Sequence, residues 1–516
     1  MSDAIVKNLS FGKEASDKVF AGIEKLAKAV SSTLGASGKC VLLEDSSGRP
    51  VITKDGVTVA DAIILLDPVE NMGATLLKEA ARKTVREAGD GTTTATVLAH
   101  AILKEAYSVP KSVASTREIK EGINSAVEKV IAYLDKSAVI VGDDMLDQIA
   151  TISTNNDPEL GKLVGDAFRA VGNTGIVMME TSADPECSLE VVEGVQCSMG
   201  LTNTHFITNH KNKTAELDNP LVLLLESPVE SIRQIQSVLE YIIKNNKSLL
   251  IIGDLEQGVL SALAMNKSKG NLKVNVISAP TFGINRKEIL DDLALLTGAT
   301  VINEDLGDDL DTIQPDLLGS CLKSVTSHDE TILQVGETSE EILEIIEDIK
   351  KSLSDNNTNY VVIKLEKRLA RLTAKISIVK VGANSEIELK EKADRIEDAI
   401  CATKAAIKEG IVSGGGIALY NAAYDSVAFS EGEELLYNAI KAPFYTILEN
   451  AGITDIPGEI LLKDGIGLNV ITGEIVNMIE AGIIDPLLVT KSALKNAASV
   501  ATTILSTDCV INNLRA

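Results

Sequence analysis

The run Ala88-Gly89-Asp90-Gly91-Thr92-Thr93-Thr94-Ala95-Thr96 holds the densest chemistry in this 516-residue chain. Two glycines permit a tight turn with the backbone close to a ligand. Asp90 between them is a hard oxygen ligand of the kind Mg²⁺ takes. Three threonines then put hydroxyls and backbone N–H groups at a predicted helix N-terminus, where phosphate is favoured. The Gly-Lys-Ser/Thr ending of a Walker A loop is absent, so this is a different kind of phosphate-and-magnesium loop. The same residues would equally serve as a Gly-Asp turn capping a helix. Lys54-Asp55-Gly56 adds a cation and a carboxylate on a turn. Gly414-Gly415-Gly416 allows close backbone approach to a ligand, or a plain kink between helices. Asp398 falls inside a long predicted helix, where an ordinary surface charge would look the same. Spacing alone does not join these segments.

The elements that must position them are legible in outline. Val19, Ile23, Leu26, Val30 and Leu34 recur at helical spacing over 11–34, and Gly35 supplies the stop. Cys40–Leu43 and Val51–Thr53 read as strands around the turn Ser46-Ser47-Gly48. Helices are expected over about 70–88 and from the phosphate-loop candidate through Tyr107. The texture changes from about 137. Strands at Leu221–Leu225, Leu249–Ile252 and Val274–Ile277 alternate with helices at Ser231–Lys244 and on through Asn266, which predicts an inserted α/β domain. The stretch 338–375 reads as a charged, solvated helical hairpin. Lys390–Lys408 is a further helix, and after the glycine triplet helices are expected to the end. Both termini therefore build one domain, with the middle inserted.

Composition bounds the class. The length suits two to four domains. Apolar residues make up 45% and aromatics 3%, with no Trp, so the core must be aliphatic. A formal charge of −25 argues against nucleic acid or an anionic membrane surface as partner. The six cysteines are scattered and lack metal-ligand spacing, which predicts reduced thiols; Cys187 and Cys197 could approach each other. Met1-Ser2-Asp3-Ala4 shows no signal-peptide pattern, and no apolar run approaches about 18 residues. A cytoplasmic protein is expected, in the host-cell cytoplasm if the chain is viral.

The separate segments join through a resemblance. Thr33-Leu34-Gly35, Ile52-Thr53-Lys54-Asp55-Gly56-Val57, Glu70-Asn71-Met72-Gly73-Ala74, the run from Ala88 to Ala99, Arg395-Ile396-Glu397-Asp398-Ala399 and Gly414-Gly415-Gly416 stand in the order seen in GroEL-type group I chaperonins. Asn477-Met478-Ile479, Gly482-Ile483-Ile484-Asp485-Pro486 and Ser492-Ala493-Leu494 continue the match. The chain resembles a divergent member of that family over essentially its whole length. The resemblance implies an α+β multidomain subunit. Its mainly α-helical equatorial domain covers 1–136 and 409–516, its small intermediate domain 137–192 and 375–408, and its inserted α/β apical domain 193–374.

It also implies an ATP site. Thr33, Leu34, Gly35 and Gly91, Thr92, Thr93 and Thr94 would hold the phosphates, with Lys54 on the same side. Asp90 would ligate Mg²⁺, and K⁺ stands as a further candidate cation. Asp55 would position the attacking water, and Asp398 would complete the hydrolytic site from the intermediate domain. Gly414, Gly415 and Gly416 would contact nucleotide, Asp485 the ribose, and Ile152 and Ser153 would line the pocket. The implied partners are non-native polypeptides, a GroES-type lid, and further copies in a ring of seven or fourteen. Leu201, Phe206, Leu239, Leu260, Ala264 and Met265 are the matching client and lid positions, and Leu263 reads equally as core.

Several positions depart from the family pattern. His205 and Gln236 make the client groove more polar, and the tail Asn512-Asn513-Leu514-Arg515-Ala516 lacks a Gly-Gly-Met repeat. Tyr445 and Thr454 replace a charged pair expected between rings, which predicts a weakened double ring. Ala374-Lys375 replaces a hinge glycine pair, leaving Gly194, and Ala36-Ser37-Gly38 predicts a looser phosphate loop. The expected activity is Mg-dependent ATP hydrolysis driving encapsulation of unfolded chains. Two rivals stand beside it: an ATP-independent holdase, and an unrelated ATP-dependent enzyme of small-molecule metabolism.

Overall fold

Strand β1 (Lys7–Phe11) pairs antiparallel with a strand at the far end of the chain, in register from Lys7↔Asn513 to Phe11↔Cys509. The structure, a computed structural model, describes residues 7–513 apart from 45–47, 111, 155–156, 173–174, 183, 198, 211–212, 280–283, 305–307, 309–312, 337–339, 355–364, 366–367, 370–371, 374 and 455–462. Helix α1 (Gly12–Ser31) follows, burying Val19, Ile23, Leu26 and Val30 along one stripe. Strands β2 (Val41–Glu44) and β3 (Pro50–Thr53) form a hairpin. Then come α2 (Gly56–Ala62), α3 (Pro68–Ala88), α4 (Thr92–Ser108) and α5 (Thr116–Ser137). Their starts are set by local chemistry. Asp67 accepts from the Val69 and Glu70 amides with Pro68 in the first turn of α3, and Ser115 and Glu118 make a capping box on α5. Helices α1 and α3 cross closely because Gly22 faces the backbone of Glu70 and Gly73 faces that of Val19; any side chain there would overlap the opposite helix.

Helices α6 (Leu146–Ser153) and α7 (Pro158–Val171) and strand β4 (Ile176–Thr181) lead into the insertion. It continues with β5 (Ser188–Cys197), β6 (Ala215–Asp218), β7 (Leu221–Leu225), α8 (Gln236–Lys244), β8 (Ser248–Ile252), α9 (Gln257–Ser268), β9 (Lys273–Ile277), α10 (Ile284–Thr297) and β10 (Val301–Ile302). Strands β7, β8 and β9 are parallel neighbours, with β10 parallel on the other side of β7. Their nearly unbroken Leu, Ile and Val runs reflect burial on both faces. Strand β11 (Gly319–Ser320) joins β7 antiparallel. A second sheet takes β12 (Lys323–Thr326) and β13 (Thr331–Gln334), and, after α11 (Glu340–Ser354), β14 (Lys375–Val381), in the order β4-β14-β5-β13-β12-β6.

The chain then returns to helices: α12 (Glu386–Glu409), β15 (Ile411–Ser413), α13 (Ile417–Asp425), α14 (Glu431–Ala439) and α15 (Ala442–Asn450). A hairpin of β16 (Ile466–Asn469) and β17 (Glu474–Asn477) precedes β18 (Ile484–Pro486), α16 (Leu487–Leu505) and β19 (Cys509–Asn513). Two compact units result: Met1–Asp166 with Met179–Ser188 and Val381–Ala516, and Ala167–Met178 with Leu189–Lys380. The first is cored by aliphatic residues such as Ile23, Leu26, Leu77, Leu98, Ile102 and Leu494. The second has its own core, including Phe206, Leu223, Val238, Leu249 and Val276.

The α+β class and the alternating elements of the insertion stand as the sequence predicts. The expectation of helices from the glycine triplet to the end is corrected: the β16–β17 hairpin, β18 and β19 intervene. These strands are three to five residues long, too short for a period of two to stand out from a helical pattern. None of the six cysteines, all among the described residues, is in a disulfide, Cys187 and Cys197 included. Gly194 sits within β5 opposite Gln334, where a side chain would run into Ile376 and the Leu333 carbonyl, so tight packing asks for glycine there. Ala374, the Ser46-Ser47 turn and Leu514 to Ala516 lie outside the described residues. Among the described residues, no helix is long and apolar enough to cross a membrane.

Candidate functional site

All the residues assigned to nucleotide fall in the first unit. Their centre is the Gly89-Asp90-Gly91 turn between α3 and α4. Gly89 ends α3 at φ 77° and Gly91 starts α4 at φ 89°, two left-handed positions in three residues. Gly91 brings no side chain to cap α4, and the first amides of α4, on Thr92, Thr93 and Thr94, have no intrahelical partner. An uncapped helix start of this kind is a ready anion site. The Asp90 carboxylate turns back and accepts from the Gly91 amide at 2.5 Å.

The neighbouring segments close around this turn. Asp55 caps α2, its Oδ1 accepting from the Val57 amide at 3.1 Å and its Oδ2 from the Thr58 amide at 2.8 Å and hydroxyl at 2.6 Å. Gly56 lies against the hydroxyls of Thr92 and Thr93, so the starts of α2 and α4 abut. Thr33 is buried, donates to the Val30 carbonyl at 2.8 Å and lies 3.5 Å from the Thr93 hydroxyl. Lys54 donates to the Gly35 carbonyl at 3.3 Å, and burial draws its pKa down. The loop expected to be loose is tied. Gly38 donates to Gly35, Lys39 donates to Ser32, and the Asn450 amide donates to the carbonyls of Ser31 and Leu34, each within 3.0 Å. Asn450 carried no signal in the sequence; only the approach of α15 shows its role.

The remaining carboxylates arrive from distant parts of the chain. Asp398 on α12 is pushed well above the usual carboxylate range, first by burial and then by the charges of Asp90 and Asp55. Asp90 is raised by burial, against the pull of its bond from Gly91, and further by Asp55. Asp485, on β18 opposite Val412 of β15, is pushed up to about 7 by burial and by Asp90. Gly414 donates to the Ile483 carbonyl at 2.9 Å, which sets the glycine triplet beside the Asp485 strand. Ile152 packs with Ile149, Ile411 and Ile484 next to that strand, and Ser153 ends the same helix. The structure therefore brings Asp55, Asp90, Asp398 and Asp485 into one electrostatic neighbourhood.

Such a set repels itself unless a cation joins it. Its donors are hard oxygens, which suit Mg²⁺ or K⁺. Among the described residues no three His, Cys, Asp or Glu side chains form a ready-made metal cage. Mg²⁺ takes one or two carboxylates and completes its shell with water and substrate phosphate.

In the second unit the client positions separate. Phe206 is fully buried and Ala264, Leu263 and Leu239 are buried, while Leu201 and Leu260 only partly pack on the same core. Phe206, Leu239 and Ala264 belong to one apolar cluster with residues of α8, α9 and the sheet. Met265 is 58% exposed and Gln236 and His205 are exposed, so the outer surface there is largely polar.

A helical body that carries a phosphate turn and is interrupted by an α/β insertion is the layout of a chaperonin subunit. The model of the TCP-1/cpn60 chaperonin family matches residues 26–515, and the chain belongs to this family. Membership carries a chaperonin-type role in protein folding. The fold resembles crystal structures of the chaperonin gp146 from the bacteriophage EL 2 (Pseudomonas aeruginosa), determined in the presence of ATP-BeFx. Crystal form II superposes with a TM-score of 0.71 at 23% identity, covering 100% of both chains. Crystal form I gives 0.65 at 23% identity, covering 98% of this chain and 99% of the other.

Proposed function

We propose that the chain is a Mg-dependent ATPase that drives a ring-shaped chaperonin to enclose non-native polypeptides. The observation that carries the reading is the meeting of Asp398 with Asp90 and Asp55 beside an uncapped helix start. Phosphoryl transfer needs positioning and charge neutralisation more than covalent chemistry. The Thr92, Thr93 and Thr94 amides and Lys54 receive phosphate oxygens, together with Thr33, Leu34 and Gly35. Asp90 holds Mg²⁺, which supplies charge neutralisation on the phosphates when bound. Asp55 orients the attacking water and Asp398 takes its proton. Gly414, Gly415, Gly416, Ile152 and Ser153 line the nucleotide, and Asp485 accepts from the ribose.

The subunit divides functionally into the equatorial, intermediate and apical parts already delimited, with Asp398 on the intermediate part so that hydrolysis waits for closure. Clients and a GroES-type lid engage the α8–α9 side of the apical part through Met265, Leu260 and Leu201. Thiols outside any disulfide suit a reducing cytoplasm.

Two measurements test this. ATP turnover should need Mg²⁺, rise with unfolded protein and be insensitive to metabolites, and client refolding should strictly need hydrolysis; capture of unfolded chains without ATP and without refolding would instead favour a holdase. Native mass should show closed rings of the 54.7 kDa chain, near 383 kDa for seven copies or 766 kDa for fourteen. Tyr445 and Thr454 in place of a charged pair favour the smaller particle, and a monomer would refute the ring.

A further inference from the structure

Among the described residues, Lys78 is the lysine or arginine that the fold buries, at 7% exposure. It lies on α3, away from the phosphate turn. Its ammonium donates to the Ile63 carbonyl at 2.6 Å and to the Asp61 carbonyl at 3.4 Å. Those carbonyls end α2, where a helix leaves acceptors unpaired and favours a cation.

The other end of α2 is Asp55. A helix of seven residues is too short to hold itself in place and is about 10 Å long, so a grip at one end sets the position of the other. At its start, α2 abuts the Thr92 and Thr93 hydroxyls through Gly56. Helix α2 is thus wedged between the start of α4 and the Lys78 ammonium. Val59 and Ala60 seat the middle of α2 in the core, and other ties act near its end. Arg82 pairs with the Asp61 carboxylate at 2.6 Å, but both are exposed, and Asn71 accepts from the Leu65 amide at 2.9 Å.

We infer that Lys78 is a positioning residue for hydrolysis: by holding the last carbonyls of α2 it sets where the Asp55 carboxylate stands relative to Asp90. The inference rests on the ATPase reading above. Lys78 itself touches neither nucleotide nor the phosphate turn.

The test compares the full-length wild type with Lys78→Met, Lys78→Gln and Lys78→Arg. MgADP affinity is measured by calorimetry, ATP hydrolysis by single turnover, and amide exchange by mass spectrometry. Displacing a catalytic group by about 1 Å costs on the order of 10²-fold. Lys78→Met should therefore slow hydrolysis by about 10- to 100-fold and leave MgADP affinity within about threefold. Lys78→Arg should restore most of the rate, and exchange should quicken over residues 57–65 and not over α4. Lys78→Gln, which retains a donor, covers the case in which Lys78→Met fails to fold, and should give a smaller loss with the same split. Hydrolysis in either variant within about threefold of wild type, or parallel loss of affinity and rate, overturns the role. If the wild type itself turns over no ATP, the ATPase reading fails. Unchanged exchange over 57–65 in the variants would then overturn the grip of Lys78 on α2 separately.

Discussion

Cys401 of α12 occupies the place where a side chain on Gly89 would have to go: a Cβ built on Gly89 meets the Cys401 Cβ at 2.5 Å and its sulfur at 2.9 Å. The helix that bears Asp398 therefore seats directly on the turn that bears Asp90. Cys401 is partly buried, with its thiol pushed up to about 12 first by burial and then by the charges of Glu397 and Asp398, so it acts as a spacer and not as a nucleophile.

Gly89→Ala should break this seat. The new methyl adds left-handed strain of about 1 kcal/mol and pushes α12 off the turn. Hydrolysis should fall on the order of 10²-fold, with MgADP affinity much less affected. Stopped-flow turnover and calorimetry check the split; a variant with wild-type turnover would show that the contact does not matter.

Asp398→Ala should keep nucleotide binding and lose turnover. Removing a base or water-orienting group costs on the order of 10²–10⁴-fold. Relief of repulsion on Asp90 should also leave affinity equal or slightly higher. Near-normal hydrolysis would sink the assignment of Asp398 as the base.

Asp485 predicts a pH dependence. Its folded pKa, about 7, lies above its ordinary value of 3.8 because of burial and Asp90. The folded, nucleotide-free chain holds a proton there that the unfolded chain has released. Between about pH 4 and 7 this group therefore lowers stability as pH rises. Asp485→Asn should melt higher than wild type at pH 7.5, by the equivalent of up to about 4 kcal/mol, with the gain fading toward pH 4. A gain independent of pH would contradict this account.

Phe206 and Met265 should part company. Phe206→Ala empties a fully buried site and should destabilise the second unit by about 3–5 kcal/mol, read from denaturant unfolding. Met265→Ser alters an exposed side chain and should shift stability by less than about 0.5 kcal/mol. If Met265 meets clients, the same variant should suppress aggregation of an unfolded substrate less well than wild type. Equal suppression by light scattering would remove Met265 from the client surface.

What the sequence determined by itself was local or ordered along the chain. Helix periodicity placed α1 and α3. Unbroken apolar runs marked β7 and β8, and the Gly-Asp-Gly turn before three threonines marked an anion-binding helix start. Each is a property of residues within a few positions of one another. Motif order added the family, and with it a role for Asp398 that the residue alone does not declare. Tertiary structure decided the rest. The approach of Asp398 and Asp485 to Asp90 depends on how α12 and β18 seat on distant helices, which no local period records. Burial decided that Phe206, Leu239 and Ala264 are core while Met265 faces solvent, because α8, α9 and the sheet compete for the same apolar side chains. The same long-range packing gave Asn450 and Lys78 their partners: polar groups near helix ends are read from sequence only when their acceptors are close in the chain, and these acceptors are not.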